Sequence, residues 1–250
     1  MTKIFAFIPC HMDSVRYPGK AMVKIKNFPM IEHVYRRAKL IKEIEEVIVT
    51  TCDDIIYDYC LQKKINIIKS SKNHKNGTTR VAENLDQFDL THSLILQGDE
   101  PLINTYDLSN FIKDIMKNPD TPSWNLITKL KNQSEMTDKT IVKCKVEKNR
   151  VVDLFRFKNI SFEKYFKIMG IFCFKKEVLK KYVEFKPCAL EKELLIEQFR
   201  LLKNSIDLFT FQVKKSHISV NIKDDKDKVD EVLENDLEQQ KIFKKAFNLV

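Results

Sequence analysis

Ser14, Arg16 and Lys20 stand in one short polar loop, with Pro18-Gly19 turning the chain just ahead of the lysine. That spacing gathers a forked cation, a point-charge cation and backbone N–H groups, which is how a loop holds phosphate. Further along, Gly98-Asp99-Glu100-Pro101 sets a carboxylate beside Gly and Pro. A hard cation such as Mg2+ takes one or two such carboxylates together with phosphate oxygens. A third polar run, Ser70 to Arg80, offers Gly77 for close approach, Thr78 and Thr79 hydroxyls to cap a helix, and the Arg80 guanidinium. Each run also has a reading without chemistry: a strand-to-helix connection with solvated charges, or, for Asp99, a turn residue capping the helix that starts near Asp107. The G-x-x-x-x-G-K-[ST] spacing of a P-loop is absent.

The elements that position these loops follow from hydrophobic periodicity. Ile4-Phe5-Ala6-Phe7-Ile8 is a continuous apolar run, as in a buried parallel strand, and Pro9 ends its ladder for want of an N–H. Val47–Thr51 and Ser93–Gln97 are two more such strands, each running into polar residues at its carboxyl end. Met30–Leu40 is a helix with Ile31, Val34, Tyr35 and Ala38 on one face, and His33 on the polar side. Ile55–Gln62 is a helix, Asn66–Lys69 a short strand, and Val81 to Phe88 a helix. The paired Asp53-Asp54 serves the site or caps the helix it precedes.

From Trp124 to Phe174 the pattern changes to alternation, in segments 124–130, 141–147, 151–157 and 167–174, which predicts antiparallel additions or a β-arm. Helices follow at 177–183 and 190–203, a strand at 208–213, an extended piece at 216–222, and one charged helix over 223–247. His92 is placed in a loop; His217, ahead of the last strand, could approach the site but reads more simply as a surface histidine. The aromatic stripe Tyr165–Phe174 with Phe185 reads as a dimer interface or, more simply, as core. With no repeat, linker or low-complexity tract, residues 1–250 read as one domain, with an excursion around 124–190.

The chain has 250 residues, 43% hydrophobic and 32% charged, and a formal net charge of +9. Because lysines are spread along the whole chain among 35 acidic residues, the charge predicts a lysine-rich surface rather than a nucleic-acid face. No apolar run reaches membrane-spanning length and the N-terminus lacks a signal-peptide layout, so a cytoplasmic protein is expected. The six cysteines form no C-x-x-C pair, which predicts reduced and mostly buried thiols. There are only four glycines, Gly19, Gly77, Gly98 and Gly170, and a chain this poor in glycine keeps it where backbone freedom or close approach is needed.

In order, the loops read I-P-C-H-M-D-S-V-R-Y-P-G-K, N-G-T-T-R, Q-G-D-E-P and S-V-N-I-K-D-D. This series resembles the 3-deoxy-manno-octulosonate (Kdo) cytidylyltransferase family. There the corresponding stretches are I-P-A-R-x-x-S-x-R-x-P-G-K, S-G-T-[DE]-R, Q-G-D-E-P and G-V-D-T-P-E-D. Met30–Ala38, Val49–Asp54, Gly170–Phe174 and Leu190–Arg200 resemble further family stretches, and all four glycines fall on family glycine positions. The resemblance implies an α/β fold of the nucleotide-diphospho-sugar transferase type: a Rossmann-like mixed, mainly parallel sheet flanked by helices, with an antiparallel β-arm.

The resemblance also implies transfer of CMP from CTP to a 2-keto-3-deoxy sugar acid, Kdo or a relative, with release of pyrophosphate, for surface polysaccharide. Arg16 and Lys20 would hold the triphosphate and Asp99, as the third catalytic group, a Mg2+ ion. Pro9, Cys10, His11, Ser14, Asn76, Gly77, Thr78, Arg80, Gln97 and Gly98 would line the nucleotide site. Gln97, Met169, Glu197 and Gln198 would face the sugar, Asn221 would be a second metal ligand, and the protein would be a homodimer.

The departures bear on the same groups. His11 stands where the family has Arg, and a mostly neutral imidazole does not replace a permanent guanidinium. Asn221 stands where the family has Asp, which removes a charge from the metal position. Ile168-Met169-Gly170 stands where the family has H-I-G, and Thr79 replaces an acidic residue. The alternatives are a non-catalytic nucleotide-binding paralogue, since a fold does not guarantee activity, or a nucleotidyltransferase with another sugar acceptor.

Overall fold

The protein is described by a computed structural model covering residues 1–72 and 74–249; Asn73, inside the polar run before Gly77, lies outside the described residues. Two compact units are present, residues 1–117 with 217–250 and residues 118–216.

The first unit is built on β1 (Ile4–Pro9), whose six residues are all buried. A small hairpin, β2 (Lys24–Ile25) and β3 (Phe28–Pro29), leads into α1 (Met30–Lys39). Then come β4 (Glu46–Thr51), α2 (Asp54–Gln62), β5 (Ile67–Lys69), α3 (Gly77–Ala82), β6 (His92–Leu96) and α4 (Thr105–Lys117). β1 pairs in parallel with both β4 and β6, and β4 with β5, giving the order β5-β4-β1-β6. Apolar runs without alternation suit this arrangement because helices cover both faces of a parallel sheet.

The second unit contains β7 (Ser123–Lys129), α5 (Gln133–Thr137), β8 (Lys143–Glu147), β9 (Arg150–Phe155) and β10 (Phe166–Lys175). It continues through α6 (Lys176–Glu184), α7 (Ala189–Leu194), α8 (Phe199–Lys203) and β11 (Leu208–Val213). β7 pairs antiparallel with β10 and parallel with β11; β11 and β8 pair antiparallel with β9, and β8 returns to β10. The five strands therefore close on themselves. Phe172, Cys173 and Phe174 are buried within this unit and Tyr165 packs edge-on against Phe155, so this part of the aromatic stripe is core, while Tyr165, Phe166 and Phe185 are half-buried.

The chain returns to the first unit as α9 (Lys223–Asn235) and α10 (Leu237–Phe247). Ile25, Met30, Leu102, Val220, Val229 and Leu233 form one buried cluster there, which ties the C-terminal helices to the hairpin and to the segment after Asp99.

Several expectations are corrected. The single C-terminal helix is two, interrupted at Asp236, whose carboxylate accepts from the Glu238 and Gln239 amides and starts the second. The helix expected over 190–203 is also two, because Leu195 adopts a left-handed conformation (φ 52°) between them. The helix expected over 81–88 ends at Ala82 and gives way to a 3-10 turn at Leu85–Gln87. His33 is fully buried rather than on the polar side: its ring stacks on Phe243 at 5.5 Å and Nε2 lies 3.0 Å from the Ile25 carbonyl. His92 opens β6 and is buried, and the His217 side chain is nearly enclosed, with Nε2 2.6 Å from Glu100 Oε2. Helix α1 buries Arg37 as well, which donates to the Ile103 carbonyl at 3.0 Å and to Gln239 Oε1 at 2.8 Å. His33 and Arg37 look solvent-facing in sequence because the helix that covers them lies some two hundred residues away.

Candidate active site

The carboxyl ends of β1, β4 and β6 bring the sequence-predicted residues of the first unit together, as expected at the point where neighbouring connections diverge in an α/β sheet. After Pro9 the chain turns on Gly19, whose φ of 73° is left-handed, and the Gly19 amide donates to the Met12 carbonyl at 2.8 Å. Asp53 fixes the loop from the side: its Oδ2 accepts from the Met12 amide at 2.9 Å. It occupies the N-cap position of α2 without making a capping bond, so of the two roles weighed for it the structure supports the loop contact.

The loop delivers Lys20 to Asp99. Lys20 Nζ lies 2.5 Å from Asp99 Oδ2 and 3.1 Å from the Val220 carbonyl, with both charged side chains mostly buried. The Val220 amide donates to the Asp99 carbonyl at 2.9 Å, which sets Asn221 beside the same cluster. Arg16 donates to Asn221 Oδ1 at 2.6 Å. Asp225 accepts from the Asn221 and Ile222 amides; burial alone would push its carboxyl pKa up, but those amides and Lys228 bring it below its ordinary value. Arg16, Lys20, Asp99 and Asn221, spread over two hundred positions of sequence, thus form one connected cluster of cations and hard oxygens.

Beside it lies a tight backbone surface. A Cβ on Gly77 would stand 2.7 Å from Pro9 Cγ and 3.4 Å from Gln97 Oε1, and one on Gly98 3.2 Å from the Pro9 carbonyl oxygen. Pro9, Gly77, Gln97 and Gly98 are therefore packed together, and both glycines are dictated by close approach. Asn76, not the threonines, caps α3: its Oδ1 accepts from the Thr79 amide at 2.9 Å. Thr78 is buried with its hydroxyl unpartnered, while the Thr79 hydroxyl bonds the Asn76 carbonyl and His74. Arg80 is buried and holds Ser70 Oγ and the Ser71 carbonyl, so it braces the preceding loop. Cys10 turns its thiol inward toward the Thr50 carbonyl, and burial pushes its pKa far up, so only its backbone faces the loop. Desolvation, and next the Arg80 charge, push the His11 imidazole below its ordinary pKa, so it is neutral near pH 7. Ser14 donates its amide to the Met12 carbonyl at 3.0 Å.

Met169, Glu197 and Gln198 lie in the second unit, where Met169 and Gln198 are buried and Glu197 half-buried. Two buried polar residues there were not named as site candidates, Asn125, which lies in no motif, and Glu191, which lies in the Leu190–Arg200 stretch. Asn125, fully buried in β7, accepts from Gln198 Nε2 at 3.2 Å and donates to the Met169 and Ile171 carbonyls. Glu191 accepts a forked pair of bonds from Arg200. In the first unit Ser219 donates to Glu100 Oε1 at 2.9 Å, and His217 Nε2 approaches the other oxygen, Oε2. A polar residue flanked by Trp124 and Leu126 was the signal available for Asn125; for the His217–Glu100 contact it was the Q-G-D-E-P motif on one side and the position of His217 ahead of the last strand on the other.

Among the described residues no group of three or more His, Cys, Asp and Glu side chains could hold a metal ion by itself. Asp99 and the Asn221 amide oxygen, hard oxygens of one cluster and each engaged by a cation, are the donor type that suits Mg2+, which takes few protein ligands and completes its shell with water and phosphate. No described helix is long and apolar enough to cross a membrane. All six cysteines are free.

A parallel α/β unit with a cation-and-carboxylate cluster at its strand ends, joined in one chain to a mixed-strand unit, defines a nucleotidyltransferase of the nucleotide-sugar type. Residues 5–238 match the family described as Cytidylyltransferase, and the chain belongs to that family. It is 31% identical over 234 residues to the 3-deoxy-manno-octulosonate cytidylyltransferase of Fusobacterium nucleatum, covering 91% of this chain and 95% of that one. It is 28% identical over 243 residues to the mitochondrial 3-deoxy-manno-octulosonate cytidylyltransferase of Arabidopsis thaliana, covering 93% and 83%. A CMP:2-keto-3-deoxy-manno-octonic acid synthetase solved in complex with CTP superimposes with a TM-score of 0.88 at 27% identity, covering 94% of this chain and all of that one. A Leptospira borgpetersenii cytidylyltransferase, at TM-score 0.68 and 15% identity, shows the shared fold alone.

Proposed function

We propose that this chain transfers CMP from CTP to a 2-keto-3-deoxy sugar acid, with Kdo the first substrate to try, in the synthesis of a surface polysaccharide. The anomeric hydroxyl oxygen attacks the α-phosphorus, the bond to the β-phosphate oxygen breaks, pyrophosphate leaves, and the hydroxyl proton passes to solvent or a nearby base. Such a reaction needs in-line positioning and charge neutralisation more than a covalent catalyst. The observation that carries the reading is the cluster of Lys20, Asp99, Arg16 and Asn221 at the strand ends of a member of this family.

Lys20 supplies a point charge and Arg16 a planar fork for the triphosphate oxygens. Gly77 and Gly98 let the nucleotide approach the backbone beside Pro9 and Gln97. Asp99 and Asn221 would hold Mg2+, which when bound polarises the α-phosphate and lowers the pKa of an attacking hydroxyl. Met169, Glu197 and Gln198 serve the sugar. We place the reaction in the cytoplasm, whose reducing conditions suit six free cysteines, and expect a homodimer.

The test is pyrophosphate release by the purified protein with CTP, Mg2+ and a panel of 2-keto-3-deoxy sugar acids, against Asp99→Ala. Release that depends on CTP and one sugar, and is lost in the variant, supports the reading; CTP binding with no transfer to any sugar sinks it.

A further inference from the structure

Six of the seven residues of β7 are buried, and Asn125 is the third of them. Burying an amide without partners costs about 1–3 kcal/mol, so a fully enclosed asparagine there must be engaged. Its Nδ2 lies 3.0 Å from the Met169 carbonyl, 3.2 Å from the Ile171 carbonyl and 3.0 Å from the Leu126 carbonyl, and its Oδ1 accepts from Gln198 Nε2 at 3.2 Å.

The strand opposite explains those acceptors. β10 pairs Ile168 with Ile127 and then Phe172 with Asn125, so Met169, Gly170 and Ile171 together face Leu126 alone. A bulge of this kind takes carbonyls out of the ladder and re-aims the side chains it carries. The Asn125 amide meets two of the bulge carbonyls. This is the stretch, Ile168 to Gly170, that departs from the family's H-I-G. On the other side, the bond to Asn125 fixes which way the Gln198 amide points, with an N–H directed at Asn125 Oδ1; an amide held by its N–H keeps its carbonyl oxygen as the acceptor.

We infer that Asn125 is a positioning residue for the sugar acid, holding the Met169–Ile171 bulge and Gln198 in one arrangement that presents the Gln198 carbonyl oxygen to a hydroxyl of a polyhydroxylated acid. The inference rests on the function proposed above. Asn125 touches neither CTP nor the reacting atoms; it acts through its two neighbours.

The experiment compares wild type, Asn125→Leu, Gln198→Ala and the double variant in steady-state transfer, with thermal denaturation alongside. Asn125→Leu keeps the number and branching of the side-chain heavy atoms and removes every polar contact. It is expected to raise KM for the sugar acid about tenfold or more while KM for CTP stays within about twofold. The double variant is expected to be no worse for the sugar than the poorer single variant, because both act through one contact. Should Asn125→Leu not fold, Asn125→Ser, a shorter donor and acceptor, is expected to give the same split between the two KM values. An unchanged sugar KM, equal loss for sugar and CTP, or additive single effects overturns the inference alone. A wild-type chain that binds CTP but transfers to no sugar acid overturns the proposed function, and the inference with it.

Discussion

Lys20 Nζ sits 2.5 Å from Asp99 Oδ2, a pairing between the turn after the first strand and the loop after the strand beside it. The lysine proposed for phosphate and the carboxylate proposed for metal neutralise one another in this pair. CTP with its cation would offer each a stronger partner, so the pair acts as a mutual placeholder that keeps both groups in position. Lys20→Met is expected to lower kcat/KM for CTP by about 10²–10³-fold, the usual cost of removing one preorganised charge donor from a transition state. Asp99→Asn is expected to cost at least as much, and the double variant less than the product of the two. Multiplicative losses in steady-state kinetics would show that the two residues act independently.

Asn221 bonds Arg16 at 2.6 Å and has no charge of its own to give a cation. Asn221→Asp is therefore expected to lower the Mg2+ concentration for half-maximal activity several-fold, since a carboxylate binds this hard cation better than an amide oxygen. A Mg2+ titration at saturating CTP measures it, and an unchanged midpoint would remove Asn221 from the metal site.

His33 links pH to folding rather than to catalysis. Desolvation lowers its pKa to about 4, against an ordinary 6.5, with the Ile25 carbonyl bond only partly offsetting that. Its other ring nitrogen, Nδ1, is buried without a partner, so protonation would bury a cation whose new N–H has no acceptor. Between pH 6.5 and about 4 the unfolded chain binds a proton there that the native protein does not. Stability therefore rises with pH across that window, is complete above it, and falls as pH drops through it. The span corresponds to roughly 3 kcal/mol. Denaturant midpoints measured across that range should flatten in His33→Phe; an unaltered slope would assign the acid sensitivity to other groups.

Gly98 has the backbone of β1 directly against it, with the Pro9 carbonyl oxygen 3.2 Å from where a Cβ would be. Because that oxygen cannot rotate away, Gly98→Ala must displace Asp99 or the end of β1. It is expected to destabilise the protein by about 1–3 kcal/mol and to weaken CTP binding. Calorimetric titration of CTP into the folded variant checks the second effect, and wild-type affinity would mean that the strand end tolerates the shift.

The central parallel strands were legible in the sequence because uninterrupted apolar runs have little alternative when helices cover both faces of a sheet. The loops were legible too, since scarce glycine and the residues P-G-K, N-G-T and G-D-E-P have few uses at strand ends. Charge and glycine are local statements, so they survive without coordinates. Tertiary structure alone decided which polar residues lie inside. His33, Arg37 and His92 occupy positions whose periodicity or chemistry looks solvent-facing, and His33 and Arg37 become buried once α10 folds back over α1. The breaks at Leu195 and Asp236 were hidden because the flanking residues remain good helix formers. Asn125 was hidden for a related reason: its purpose is visible only when the bulge of β10 and the Gln198 amide, distant in sequence, come against it. The sequence determined the chemistry available at the strand ends through local residue types. Long-range pairing determined which groups meet, because the free energy of burying a polar side chain depends on partners the local sequence does not contain.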